Sequence, residues 1–190
     1  MHKPTSISQA EDQVAPGLMN AIEGRHAKVG IVGMGYVGFP LACAVNKAGY
    51  QTCGFDVDPI KIERLDAGQT YLGHMTDEPF AALTASDRFS ATCDFAALVS
   101  CDVVILCVPT PLNEDNEPDL SYVIKSTEAV ASILRPGMLI VLESTTWPGT
   151  TREVMLPILE SGGLKSGVDF FVSYSPEREN PADAKFETAS

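Results

Sequence analysis

The chain has 190 residues, 45% hydrophobic and 20% charged, proportions that suit an ordinary globular domain and exclude a disordered or fibrous chain. Its 25 acidic residues against 13 basic ones give a formal charge of −12, which opposes contact with phosphate backbones and argues against nucleic acid as a partner. No apolar run reaches the ~18 to 20 residues of a spanning helix, and the polar N-terminus lacks the apolar block of a signal peptide, so the expectation is a cytoplasmic protein without membrane contact.

Residues 1–26 mix charge, Pro16 and Gly17 with little periodicity and read as a flexible leader or one loose helix, with the folded domain expected over 27–190. Lys28 to Val32 reads as a strand, Gly38 to Ala48 as a helix and Tyr50 to Asp56 as a second strand, together one βαβ unit. A helix from Pro59 to about Ala67 carries its proline just inside the start and Gly68 at its end. Thr76 to Arg88 reads as a short helix, Ser90 to Cys93 as a strand, and Asp94 to Ser100 as a helical turn with Asp94 as N-cap. The run Asp102 to Val108, DVVILCV, is apolar and β-branched, as a parallel strand covered on both faces requires. A loop with three prolines leads to a helix from about Leu120 to Leu134, stopped by Pro136-Gly137. Met138 to Leu142 is a further buried strand, Thr150 to Glu160 a helix, and Phe170 to Ser173 a last short strand. The alternation predicts an α/β fold, a Rossmann-type doubly wound parallel sheet in three layers. An α/β barrel takes about 250 residues and is excluded by length.

The five cysteines, Cys43, Cys53, Cys93, Cys101 and Cys107, form no CxxC pair and read as small hydrophobes of a reducing compartment. The three histidines are scattered, and no metal site is expected.

The chemistry begins at Gly33-Met34-Gly35-Tyr36-Val37-Gly38, which follows a predicted strand and opens a predicted helix. GxGxxG alone is a weak signal; in this context it reads as a dinucleotide-binding turn. The first glycine permits the tight turn, the second lets a pyrophosphate approach the backbone, and the third lets helix and strand pack closely. Free N–H groups and the positive helix end then face the phosphates. Asp56 ends the second strand, where a carboxylate accepts hydrogen bonds from the adenosine ribose hydroxyls and repels a 2′-phosphate, which favours NAD over NADP. Lys61, a cation on the next helix, weakens that preference slightly, and Asp58 is more simply the N-cap of that helix.

GMGYVGFPLA (33–42), CVPTPL (107–112), ESTTWPGTT (143–151) and YSPERENP (174–181) occur in that order, and together they resemble the UDP-glucose/GDP-mannose dehydrogenase family over about residues 27–185. SPERE followed by proline is similar to the branch that oxidises UDP-N-acetylhexosamines such as UDP-N-acetylglucosamine; UDP-glucose and GDP-mannose remain alternatives. The resemblance implies that Tyr36 and Val37 line the pyrophosphate, that Asp56 and Lys61 hold the adenosine ribose, and that Pro109 and Thr110 flank the cofactor. Thr145 and Glu177 match the family's active-site threonine and glutamate, with Thr145 beside the cofactor and Glu177 beside the substrate. Thr145 also has a plainer reading, as a cap on the turn at Pro148-Gly149, and Glu177 as a surface partner of Arg178 or Lys185. Arg178 and Glu179 are expected to shape the sugar-nucleotide pocket or its connection to a following domain. Trp147 departs from the small residue or proline commoner at its place.

In the family, the C6 alcohol of the sugar passes through the aldehyde to a carboxylate, giving one hydride to each of two NAD. The second oxidation needs a nucleophilic cysteine, which lies in a glycine-rich motif that the 190 residues do not contain, as do a lysine and an asparagine of the substrate-binding part. The chain is therefore expected to bind NAD without turning over a UDP-sugar, and to be monomeric, whereas full-length relatives form homo-oligomers. Two rival readings remain, a stand-alone NAD-binding module and a β-hydroxyacid-type dehydrogenase.

Overall fold

The computed structural model describes residues 14–73, 75–113 and 117–176. Its centre is one sheet of six parallel strands: β1 (Lys28–Val32), β2 (Gln51–Phe55), β3 (Phe89–Thr92), β4 (Val103–Leu106), β5 (Leu139–Leu142) and β6 (Phe171–Tyr174), in the order β3-β2-β1-β4-β5-β6. The helices are α1 (Val14–Glu23), α2 (Gly38–Lys47), α3 (Pro59–Asp66), α4 (Asp77–Thr84), α5 (Ser121–Ala131) and α6 (Leu156–Leu159). A 3-10 turn, Phe95–Ser100, precedes β4, and a π-helical turn, Thr151–Met155, precedes α6.

Period-2 alternation along the strands sorts the core into two layers. Val104, Leu106, Ile140 and Leu142 point to one face and pack with Val123 and Val130 of α5, Met155 and Leu159. Val103, Leu139 and Val141 point to the other, with Val29, Ile31, Phe39 and Ala42 of α2, Leu65 of α3 and Phe80 of α4. Each such leucine, isoleucine or phenylalanine, where fully buried, contributes roughly 1.5–3 kcal/mol. This is the doubly wound sheet that the order of elements predicts.

Local chemistry sets the starts of several elements. Asp58 accepts from the Ile60 N–H at 2.9 Å and Asp94 from the Ala96 N–H at 3.0 Å, so both N-caps stand as read from sequence. Of the two readings of the leader, a flexible stretch or one helix, Val14–Glu23 takes the helix, and its Leu18 is buried in the core; residues 1–13 lie outside the described residues. One expectation needs correction. The single helix expected over Thr150 to Glu160 is instead a π-helical turn, a short α-helix and a 3-10 turn. Pro157 lacks an N–H and its ring crowds the carbonyl four residues back, so a regular ladder does not run through it.

Strand order reverses between β1 and β4, which run side by side while their crossovers lead in opposite directions. A crevice opens there beyond the carboxyl ends of the strands. The register pairs Val32 with Phe55 and with Leu106, and Leu106 with Leu142. Consequently the segments beginning at Gly33, Asp56, Cys107 and Glu143 leave the sheet along one edge.

Candidate functional site

That edge forms a cleft of about 980 Å³, lined by Gly33, Gly35, Tyr36, Val37, Asp56, Lys61, Pro109, Thr110 and Thr145 among others. Of the residues singled out from sequence, Gly38 is the described exception, being buried behind the turn. Glu177, Arg178 and Glu179 lie outside the described residues.

Gly33 has φ +94°, and a Cβ there would come 2.6 Å from the Cys107 carbonyl oxygen, so the turn excludes any side chain. A Cβ on Gly38 would fall on the carbonyl oxygen of Gly33, which is how closely α2 packs on the end of β1. At Gly35 a Cβ would meet nothing, only the open space of the cleft. The helix it leads into, α2, has Val37 as its N-cap residue and no side-chain cap, unlike α3. Open space over Gly35 beside a helix start that no side chain caps fits a pyrophosphate.

Asp56 is 4% exposed. Its Oδ2 accepts from the Met34 N–H and from Lys61 Nζ, both at 3.0 Å, and its Oδ1 accepts from the Asp58 N–H at 3.0 Å. A carboxylate offers about four lone-pair sites, so these three bonds leave room at Oδ1 for a hydroxyl donor. The residues present therefore fit NAD: a carboxylate for the ribose, backbone amides for the pyrophosphate, and apolar walls.

The same cleft is lined by Phe95 of the 3-10 turn and by Tyr122, Lys125 and Ser126 of α5. The sequence reading missed these, as it missed Arg64 and Tyr71. A signal existed on α5, where Val123, Thr127 and Val130 are buried and set Tyr122, Lys125 and Ser126 on neighbouring faces. Which way those faces look depends on the crossover.

Thr145 is exposed, and its carbonyl accepts from the Thr110 hydroxyl at 2.7 Å. The turn at Pro148-Gly149 is held instead by Thr150, whose hydroxyl donates to the Trp147 carbonyl at 2.9 Å. Ser144 donates to the Val108 carbonyl at 2.7 Å and joins the same two loops from below. Burial pushes the Cys43 and Cys101 thiols up to about 11, which keeps them protonated and poor nucleophiles. Among the described residues no group of three or more His, Cys, Asp or Glu is placed to hold a metal ion, and no helix is long and apolar enough to cross a membrane.

Residues 27–190 match the family described as UDP-glucose/GDP-mannose dehydrogenase family, NAD binding domain. The chain is 38% identical over 164 residues to a UDP-N-acetyl-D-glucosamine 6-dehydrogenase of Pseudomonas aeruginosa, covering 86% of this chain and 38% of the relative. It is 40% identical over 159 residues to a UDP-N-acetyl-D-glucosamine 6-dehydrogenase of Salmonella typhi, covering 83% and 36%. The solved structure of a UDP-D-ManNAc dehydrogenase from Pyrococcus horikoshii superposes with a TM-score of 0.76 at 34% identity, covering 81% of this chain and 37% of that one. The chain thus spans less than two fifths of the length of these relatives.

Proposed function

This chain belongs to the UDP-glucose/GDP-mannose dehydrogenase family as its NAD-binding domain, and on that premise we propose that it serves the oxidation of a UDP-N-acetylhexosamine at C6 to the carboxylate. The observation that carries the reading is the meeting, in one cleft, of the Gly33–Gly38 turn and buried Asp56 with Thr110 and Thr145. NAD, when bound, supplies a nicotinamide ring that accepts hydride.

The chain's own residues bind and orient. Asp56 takes a ribose hydroxyl and, as an anion, disfavours a 2′-phosphate; Lys61 is held by Asp56 and so is less available to recruit that phosphate. Tyr36 and Val37 border the pyrophosphate, while Pro109 and Thr110 wall the cofactor on the β4 side. Thr145, an exposed residue lining the cleft, acts at the reacting end, on the cofactor or on an ordered water that carries the substrate proton. Glu177, Arg178 and Glu179 are assigned to the sugar nucleotide by the YSPERENP motif. The UDP-N-acetylhexosamine branch is favoured by that motif and by the names of the relatives above.

By themselves the 190 residues hold the cofactor and do not oxidise the sugar. Cys43 and Cys101 are shielded and protonated, and none of the five cysteines stands in a glycine-rich nucleophile motif. Calorimetric titration with NAD, NADP and UDP-N-acetylglucosamine tests the reading. NAD is expected to bind at least tenfold more tightly than NADP, and no NADH is expected to form with the sugar nucleotide. Tight UDP-sugar binding without NAD binding would overturn the assignment of the cleft, and steady NADH formation would overturn the division of labour.

A further inference from the structure

We propose that Tyr71 is a positioning residue for the cofactor turn: with Asp56 it holds the Met34 backbone from two sides and so sets the orientation of the Met34–Gly35 peptide that a pyrophosphate meets. For its ligand, the proposal rests on the cofactor reading above; for the clamp, it rests on geometry alone.

Tyr71 lies in the connection between α3 and α4, with 37 positions separating it from Met34, yet its hydroxyl donates to the Met34 carbonyl at 2.7 Å. On the other side of the same residue, the Met34 N–H donates to Asp56 Oδ2 at 3.0 Å. The Met34 side chain is fully buried and seated on Gly54, where a Cβ would come 2.7 Å from its sulfur. Met34 is thus held at its N–H, its carbonyl and its side chain. No cis peptide occurs among the described residues, so the Met34–Gly35 unit is planar and trans. Anchoring its carbonyl on Tyr71 therefore sends the Gly35 N–H in the opposite direction.

Tyr71 is itself braced. Its ring meets Phe80 edge-on, with centroids 5.1 Å apart at 81°, and Phe80 stacks on Phe39 at 3.7 Å and 11°. Phe39 belongs to the first turn of α2, so the clamp is tied to the helix that the turn opens. Burial, and secondly the Asp56 charge, push the Tyr71 phenol well above its ordinary value, so it stays a donor across the neutral range. A residue that only filled the core would use the ring and not need the hydroxyl.

The test is Tyr71→Phe in this chain, which keeps the ring and removes the hydroxyl. Hydrogen exchange at the Met34 amide, which the clamp holds on buried Asp56, is expected to rise about fivefold to tenfold, the effect of one hydrogen bond, while amides of β1 and β4 stay unchanged. NAD and ADP-ribose are expected to bind about fivefold more weakly, and adenosine less than twofold, because only the first two carry the pyrophosphate. Unchanged Met34 exchange, an equal rise in the strand amides, or an equal loss for adenosine would each overturn the proposal. If the unaltered chain bound no NAD, the cofactor reading would fail, and the exchange data would still decide whether Tyr71 holds the turn.

Discussion

The hydroxyl of Thr110 donates to the backbone carbonyl of Thr145 at 2.7 Å, a bond that joins the loop after β4 to the loop after β5. Both residues line the cleft, so the two loops present one wall. Thr110→Val keeps the shape and removes the donor. It is expected to cost about 1 kcal/mol, seen as a fall of roughly 2–4 °C in Tm for a domain of this size, with NAD affinity lowered about fivefold. Calorimetry and a melting curve check this, and a variant indistinguishable in both would mean that the bond does not organise the wall.

Asp56 gathers Met34, Asp58 and Lys61 around one buried carboxylate. Asp56→Asn turns one oxygen into an NH2 group, which must face a donor wherever it points. A cost of about 1–3 kcal/mol in urea unfolding follows from the unsatisfied pair. Losing the negative charge also frees Lys61, so the preference for NAD over NADP should narrow at least fivefold. An unchanged ratio of the two affinities would show that Asp56 does not select the cofactor.

Gly38 permits no added atom, because a Cβ would occupy the place of the Gly33 carbonyl oxygen. Gly38→Ala must push α2 away from the end of β1. About 1–3 kcal/mol of stability is expected to be lost, as in other overpacked cores, and NAD binding should weaken by more than tenfold because the turn itself moves. Gly35→Ala, whose Cβ meets open space, is the control: its stability should stay near that of the unaltered chain while its NAD affinity falls. Equal melting of the two variants would contradict this account of the turn.

Cys43 and Cys101 have thiols raised from 9.0 to about 11 by burial. The folded chain therefore keeps protons there that the unfolded chain releases. Their contribution to stability is fully present below pH 9 and is lost as pH rises toward 11. Unfolding midpoints between pH 8 and 11 should fall, and Cys43→Ala together with Cys101→Ala should flatten that fall. At neutral pH their thiolate fraction is about a hundredfold below that of a thiol at 9.0. Cys93 is exposed and within reach of reagent, so it should be alkylated well before either of them.

Much of the fold was legible because its signals are local. Strand runs, the glycine turn and the caps Asp58 and Asp94 act over a few residues, and the structure places them as read. A reading failed where one residue overrides a pattern, and stayed open where packing supplies what periodicity does not. Pro157 breaks a helix that its apolar spacing supports, and Leu18 anchors α1 through contacts with the body. In the site, Thr145 had two readings, and only the structure shows that Thr150 takes the capping task.

The sequence by itself determined the doubly wound architecture and the cofactor class, since the glycine turn and Asp56 state their chemistry through residue type and spacing, and its four motifs carried the resemblance to the family. The tertiary structure decided how the turn is held. Tyr71 reaches Met34 across 37 positions, and Phe95, Tyr122 and Lys125 line the same cleft as the glycine turn. These meetings depend on the strand order and on the sides taken by the crossovers, which no local pattern encodes. Asp56 shows both levels at once: its position at a strand end is written in the sequence, and its burial among three donors exists only after β1 and β2 pair.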